Sequence, residues 1–452
     1  MKKVAFHTLG CKVNYYETEA VWGLFETAGY DRAEFKDRAD VYVINSCTVT
    51  NGGDKKSRQI IRRAIRKNPE AVVCVMGCMA QTQPKEVAAI PGVDIVIGTS
   101  GRSDILRLIE RYERERLPIN AVLDNIFKEK KFETLNVTHF ENRKRAALKI
   151  QDGCNKFCTF CIIPWARGRV RSEQPEIVLQ QARNLVASGH IELVLTGIHT
   201  AAYGEDLEHY KLSDLLRDLC AIEGLKRIRI SSIEASQMTD DVIDVMLTHS
   251  EVIAEHIHVP IQAGSNDILK AMRRTYVLDE YEAKIEKLRA IFPRMSITTD
   301  IIVGFPGETE ENFLESVETV KRIGFAELHV FPYSLRNGTK AATMPNHVSE
   351  ITKTMRVSAM IAVNEQLAKE YASQFEGDVL EVIVEKIKDG YAIGHASNYL
   401  HLKCPVPADF DEAVVQMKVT KAGYPLCEGA LAWPHPVNET VGWTAGQFAK
   451  GV

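Results

Sequence analysis

Apolar runs rich in valine and isoleucine alternate with amphipathic stretches in two successive regions of the chain, and this pattern limits the available folds most. In residues 1–113 the runs Lys3 to Leu9, Val41 to Ile44, Ala71 to Met76 and Val93 to Ile97 read as strands. Helical patterns at Thr18 to Ala28, Asp54 to Lys67, Pro84 to Ala89 and Ser103 to Tyr112 lie between and after them. A strand that is apolar on both sides has to be covered on both faces, so the region predicts a parallel sheet between helices. The pattern returns from Ala147 to about Ser334. Strand-like runs there are Leu148 to Gln151, Leu193 to Thr196, Arg227 to Ser232, Ile257 to Ile261, Ile297 to Val303 and Glu327 to Phe331. Six βα units are two short of a closed eight-fold barrel, and a partial, open barrel is expected.

The polar and charged stretch from about Arg111 to Arg145 reads as a connector between these regions. A long amphipathic helix is expected from Glu350 to Phe375. After Asp378 the period changes to two, in VLEVIVEKI, GYAIGHA, YLHLKCP and VVQMKVTKA, which predicts a small all-β barrel ending near Leu431. The tail beyond Pro436 has no clear period and is expected to be poorly ordered. The predicted class is therefore α/β, with a parallel-sheet domain (1-113), a partial (β/α)6 barrel (140-370) and a small all-β barrel (373-438).

Composition excludes several classes. With 45% hydrophobic and 26% charged residues among 452, the chain is neither disordered nor collagenous. Its apolar stretches fall short of the roughly 18 residues a membrane span needs. The N-terminus, MKKVAFHTLGCK, is too short and too polar for a secretory signal. A cytoplasmic, reducing location is expected, so the ten cysteines do not read as a disulfide framework. A net charge of -4 supplies no whole-molecule attraction for polyanions, and any nucleic acid must be held by local basic clusters.

Cys154, Cys158 and Cys161 form CxxxCxxC in QDGCNKFCTFC, directly after the first strand of the second region. Three thiolates on one tight loop can hold three irons of a 4Fe-4S cube and leave the fourth open to a ligand. A structural zinc site would want a fourth ligand close by, and none is obvious. The spacing, with Phe160 just before the third cysteine, resembles the radical S-adenosylmethionine superfamily. That resemblance implies a cluster that chelates S-adenosylmethionine and cleaves it to a 5′-deoxyadenosyl radical. Thr196 and Gly197 end the second strand of the region, Glu234 and Gln262 follow the third and fourth, and Gly304 lies in IIVGFPGE after the fifth. Each alone fits ordinary turn chemistry; together they resemble the superfamily's cofactor-binding loops. Glu234 and Gln262 are placed to bond the ribose or amino-acid part, and Gly304 to lie against adenine.

In the first region Cys11, Cys47 and Cys78 each follow a predicted parallel strand, where α/β sheets gather ligands. Glycine or serine precedes each, leaving backbone room for an inorganic core. Cys74, Cys220, Cys404 and Cys427 fit the plainer role of small buried hydrophobes. A three-cysteine α/β domain, a radical core and a small β-barrel together resemble the methylthiotransferases over about residues 1 to 438. The segments HTLGCKVN, QDGCNKFCTFCIIPWARG, TGIHTAAYG, SSIEASQ and ELHVFPYS resemble the threonylcarbamoyladenosine tRNA methylthiotransferases most closely.

The resemblance implies two 4Fe-4S clusters, one on each cysteine triplet, and S-adenosyl-L-methionine as radical source and methyl donor. It implies insertion of a methylthio group at carbon 2 of threonylcarbamoyladenosine at position 37 of tRNA. The reaction is reductive, so an external one-electron donor such as flavodoxin or ferredoxin is implied, with neither a membrane nor an obligate protein partner. The same chemistry on isopentenyladenosine tRNA or a ribosomal-protein aspartate is the near alternative. A non-catalytic iron–sulfur RNA-binding or redox-sensing protein is the alternative of another class.

For tRNA, the helix around Asp54 to Lys67 sets Arg58, Arg62 and Arg66 on one face, with Lys55 nearby. Such a face is either merely solvated or a phosphate site, and its start beside Cys47 favours the latter. Arg143 to Arg145, Arg167, Arg169 and Arg171 flank the second cysteine loop, and Arg273-Arg274 is a further candidate. The C-terminal barrel resembles the TRAM domain, best in SNYLHLK. From Glu376 to Glu428 it carries five Lys/Arg against nine Asp/Glu, so stacking or shape contacts through Tyr391 or Tyr399 would have to serve.

Overall fold

Every residue of Val41–Ser46 and of Val72–Gly77 is buried, as strands covered on both faces must be. In the computed structural model, which describes residues 1–137, 140 and 144–432, these strands form the centre of a six-stranded parallel sheet. Its elements in chain order are β1 (Lys3–Thr8), α1 (Lys12–Thr27), β2 (Asp31–Ala33), β3 (Val41–Ser46), α2 (Asn51–Lys67) and β4 (Val72–Gly77). They continue with α3 (Cys78–Thr82), α4 (Pro84–Ala88), β5 (Ile95–Val96), α5 (Ile105–Glu115) and β6 (Ile119–Asn120). The order across the sheet is β2-β1-β3-β4-β5-β6, and each face has its own core. Ile44, Ile61 and Val75 lie in one; Phe25, Val43 and Ile109 lie in the other.

Two edges depart from expectation. The connector predicted from Arg111 is partly regular: α5 runs to Glu115, and Ile119–Asn120 pairs with β5 as the sixth strand. Neither β6 nor β2 carries a valine–isoleucine run, because an edge strand of two or three residues has little to bury. Helix α1 begins at Lys12 rather than Thr18, directly after Cys11, and Val13 and Tyr16 join its buried face.

The second region contains β7 (Arg145–Lys149), β8 (Gln151–Asp152), α6 (Ile163–Arg167), β9 (Arg171–Ser172), α7 (Pro175–Ala187), β10 (Glu192–Thr196) and α8 (Leu212–Cys220). There follow β11 (Arg227–Ile230), α9 (Asp240–Thr248), β12 (His256–His258), α10 (Asn266–Ala271), α11 (Leu278–Ile291), β13 (Ser296–Val303), α12 (Glu310–Ile323) and β14 (Glu327–Pro332). Parallel sheets β11-β10-β7 and β12-β13-β14 are joined by single parallel bridges, Ile228 to Ile253 and Ser232 to His258. The six expected strands thus make one open barrel. An antiparallel pair, β8 with β9, frames the cysteine loop and has no counterpart in the sequence reading.

Residues 1–364 form one compact unit, so the sheet and the open barrel share it; the second unit begins at Glu365. Helix α13 covers Glu350–Ser373. In the second unit β15 (Val379–Lys388), β16 (Tyr391–Ala396), β17 (His401–Pro405), β18 (Val414–Lys421) and β19 (Cys427–Leu431) close a barrel in the order β15-β16-β17-β19-β18. Its core includes Val382, Leu402, Cys404, Met417 and Cys427. The expected tail beyond Pro436 lies outside the described residues. Among the described residues no helix is long and apolar enough to cross a membrane.

Candidate metal and cofactor site

Three strand ends of the six-stranded sheet bring three thiols together. Cys11 follows β1 and caps α1, Cys47 follows β3, and Cys78 opens α3 directly after β4. Gly10, at φ +101°, makes the approach possible: a Cβ there would lie 3.0 Å from both Cys47 Cβ and Cys47 Sγ. Gly77, at φ +96°, turns Cys78 off its strand, and a Cβ there would strike Asn45 and Ser46. Burial pushes the Cys78 thiol up to about 12, with the Cys11 and Cys47 thiols adding to the rise and Arg167 opposing it. Cys47 is raised as well, first by burial and then by Cys11. Cys78 thus feels both other thiols and Cys47 feels Cys11, as groups converging on one point do, and a bound metal would favour their thiolates.

The second triplet sits on a loop braced at both ends. Cys154 N–H donates to Gly168 O (3.0 Å), and Gly153 packs so tightly on the Arg169 carbonyl that a side chain there would collide. Thr159 is pinned by its N–H to Met272 O (3.1 Å) and by its hydroxyl to Ala271 O (2.9 Å). Burial raises Cys154 to about 11 and Cys161 to about 12, and both feel the Cys158 thiol. Soft thiol donors in threes, held by tight glycine turns, fit iron–sulfur clusters.

Each triplet has one arginine that hydrogen-bonds a cysteine sulfur. Arg167 Nε donates to Cys78 Sγ at 3.3 Å, and Arg274 Nη1 donates to Cys158 Sγ at 3.3 Å. A buried carboxylate holds each guanidinium: Glu17 with Asp152 for Arg167, and Glu234 for Arg274 at 2.7 Å. Glu17 also takes Arg102 and Lys149, and Lys149 Nζ lies 2.6 Å from Asp152. Arg167 Nη2 donates to Asn14 Oδ1 (2.6 Å), and Asn14 Nδ2 to Leu9 O (2.8 Å), tying the network to the Cys11 turn. One buried charge network thus joins both cysteine loops across the two regions.

This overturns one expectation. Arg167, assigned to tRNA from sequence, is completely buried and cannot meet phosphate; it acts on a cysteine sulfur instead. Arg171, also buried, donates to the Arg167 and Arg169 carbonyls, and Arg274 is likewise turned inward. Arg169, Arg273, Lys55, Arg62 and Arg66 are exposed, whereas Arg58 is half-buried with Nη2 on Gln83 Oε1 at 2.7 Å. Arg145 pairs with Glu192 at 2.8 Å, and Arg143 lies outside the described residues.

The residues assigned to S-adenosylmethionine cluster near the second triplet, with different freedom. Phe160 meets Phe305 edge-on, centroids 6.5 Å apart. Gly197 lies against Gln151, whose Oε1 also accepts from His199 N–H. Thr196 is buried, and its hydroxyl bonds Val194 O. Glu234 is held by Arg274 and by Lys156 (3.4 Å) and sits below the usual carboxylate range, since these cations outweigh its burial. Gln262 takes a left-handed φ of 66° and bridges β13 through its backbone. At Gly304 the space for a Cβ is filled by the Lys353 stem, so adenine cannot lie on that side of the glycine. His199, missed from sequence, brings Nδ1 to 3.8 Å from Cys154 Sγ and Nε2 to 2.6 Å from Gln237.

Comparison with known proteins places this geometry among relatives. Residues 3–98 match the model described as uncharacterized protein family UPF0004, and residues 148–320 match the radical SAM superfamily. The chain is 55% identical, over 95% of its length and 96% of the relative's, to threonylcarbamoyladenosine tRNA methylthiotransferase MtaB of Bacillus subtilis (strain 168). It is 37% identical, over 84% of its length and 87% of the relative's, to tRNA-2-methylthio-N(6)-dimethylallyladenosine synthase of Carboxydothermus hydrogenoformans. Among solved structures, the radical S-adenosylmethionine methyltransferase TsrM of Kitasatospora setae, with cobalamin and a 4Fe-4S cluster bound, superposes with a TM-score of 0.55. That match has 14% identity and covers 91% of this chain and 83% of TsrM, a likeness of fold.

Proposed function

Because the chain belongs to the tRNA methylthiotransferase family of radical S-adenosylmethionine enzymes, we propose that it inserts a methylthio group at carbon 2 of threonylcarbamoyladenosine at position 37 of tRNA. The observation that carries the reading is the pair of three-thiol sites in one compact unit, each with its own buried arginine and the two joined through Arg167. Cys11, Cys47 and Cys78 would hold one 4Fe-4S cluster and Cys154, Cys158 and Cys161 the other; bound there with S-adenosylmethionine, they supply radical chemistry and a sulfur-binding iron.

The chain's own residues do the rest. Arg167 and Arg274 set N–H donors and positive charge against one sulfur in each site, which favours the reduced, more negative state of a cluster. Glu234 fixes the direction of Arg274, and Glu17 that of Arg167. Phe160, Thr196, Gly197, Gln262 and the loop beginning at Gly304 would shape the S-adenosylmethionine pocket, with Gly304 contributing backbone only. Lys55, Arg58, Arg62, Arg66 and Arg169 would meet the tRNA backbone, Arg58 by leaving Gln83. The closed five-stranded barrel would serve as a TRAM-like RNA holder. Flavodoxin or ferredoxin would supply electrons, in the cytoplasm.

The test is anaerobic reaction of the reconstituted enzyme with tRNA, S-adenosylmethionine and a reductant, followed by mass spectrometry of the nucleosides. The proposal expects the 2-methylthio derivative of threonylcarbamoyladenosine. A methylthio group on isopentenyladenosine alone would assign the enzyme to the other substrate. No cleavage of S-adenosylmethionine by the reduced protein would remove the radical mechanism.

A further inference from the structure

The cofactor sites leave three polar side chains on neighbouring strands of the open barrel unused. His258 on β12, Asp300 on β13 and His329 on β14 converge: His258 Nε2 and His329 Nδ1 each lie 3.3 Å from the same atom, Asp300 Oδ1. The imidazoles stack with centroids 5.2 Å apart and planes at 23°. Thr298 Oγ1, 2.9 Å from His258 Nδ1, holds that ring in turn. Strand register sets the arrangement, since His258 pairs with Thr298 and Asp300 with His329.

The far sides of this group are open. Among the described residues no protein group bonds Asp300 Oδ2 or His329 Nε2, and the His329 side chain is 44% exposed. Phe331, two residues on and on the same face of β14, is also 44% exposed. Lys12, next to Cys11, lies close enough to lower the proton affinity of His329, which its hydrogen bond to Asp300 nonetheless raises on balance. Four residues beyond Asp300 the chain reaches Gly304 and the candidate S-adenosylmethionine loop. The Asp300 carbonyl accepts from the N–H of Gln262, also assigned to S-adenosylmethionine, at 3.0 Å, so the polar group stands beside the candidate cofactor loops.

We propose that Asp300 and His329, braced by His258, form the subsite that recognises the hydrogen-bonding N6 substituent of the target adenosine and discriminates against a hydrocarbon substituent. The inference rests on the tRNA reading above and deepens it. A carbamoyl N–H would donate to Asp300 Oδ2, and a carbonyl or carboxylate oxygen would accept from His329 Nε2–H. An isopentenyl group can do neither, and it would leave a carboxylate oxygen and an imidazole N–H desolvated and unpaired. Sites built to hydrogen-bond a substrate reject analogues lacking the polar group far more strongly than apolar pockets reject a methylene.

The experiment measures affinity of the reconstituted enzyme for anticodon stem-loop RNAs that differ only in bearing threonylcarbamoyl- or isopentenyladenosine. The wild type should prefer the threonylcarbamoyl RNA. His329→Phe and Asp300→Asn should each cut that preference at least about tenfold, while His329→Gln, which can present an amide N–H, should keep most of it. Iron content near the wild-type value in each variant checks that the fold is kept. An unchanged preference in both His329→Phe and Asp300→Asn would overturn the subsite. So would stoichiometric Zn2+ binding that Asp300→Asn abolishes without touching RNA preference, which would make the group a metal site. A wild type that methylthiolates isopentenyladenosine RNA instead would overturn the substrate reading itself, and the subsite with it.

Discussion

Arg167 Nε, on a helix of the open barrel, donates a 3.3 Å hydrogen bond to Cys78 Sγ at the end of a strand of the six-stranded sheet. The residues are 89 positions apart, and the bond joins two regions that bind separate cofactors in our account. Removing the guanidinium should act twice. Glu17 and Asp152 lose a buried cation, and breaking a buried pair costs about 3–5 kcal/mol. Arg167→Gln should therefore unfold at a markedly lower denaturant concentration. It should also shift the EPR-monitored midpoint of the first-region cluster to lower potential while leaving the second within error.

Arg274 has the matching relation to Cys158, with Glu234 behind it. Outer partners of metal ligands typically carry a 10–100-fold effect on affinity or activity. Glu234→Gln should weaken the reductive cleavage of S-adenosylmethionine by about that factor, measured as 5′-deoxyadenosine formed without tRNA. Unchanged cleavage would mean that Arg274 needs no anchor.

Glu17 provides a pH test. Burial alone would raise its pKa, but Arg102, Arg167 and Lys149 together pull it down to about 2. A folded value below the unfolded one gives stability that is complete above about pH 4.5 and is lost as the pH falls toward 2. Thermal midpoints of the wild type should drop steeply between pH 4.5 and 3, and those of Glu17→Gln should start lower and fall less.

Helix α2 should carry tRNA through charge alone. Arg62→Ala and Arg66→Ala, both at exposed positions, should each reduce the slope of log affinity against log salt by about one. Arg167→Lys keeps the charge in the interior and should leave that slope unaltered, because Arg167 is not at the surface.

The strands that must be buried were the most legible part of the chain. All six runs of the open barrel and four of the sheet appear where valine and isoleucine concentrate, and the change to period two marks the closed barrel. Strands β2 and β6 escaped because two- and three-residue edges leave no periodic trace. The six candidate ligand cysteines stood out because spacing and strand ends are local properties. Arg167 did not: a basic residue among others beside a loop looks like surface until its partners are known. Two of those partners, Glu17 and Cys78, come from distant segments of the first region, and only Asp152 lies near it in sequence. A sign was nevertheless present in Lys149 and Asp152, since charges at a strand that must be covered require buried counter-charges. His258, Asp300 and His329 were hidden for a similar reason: they lie on three different strands among other polar residues, and register alone brings them together.

The central claim, two separate three-thiol cluster sites in one chain, is tested most directly by iron and sulfide analysis after anaerobic reconstitution. The comparison is the wild type against Cys154→Ala, Cys158→Ala, Cys161→Ala combined in one variant. Our account predicts about eight irons per chain falling to about four, the remainder held by Cys11, Cys47 and Cys78. About four irons falling to none would contradict it, because the first triplet would then bind nothing and no second iron site would exist to carry sulfur.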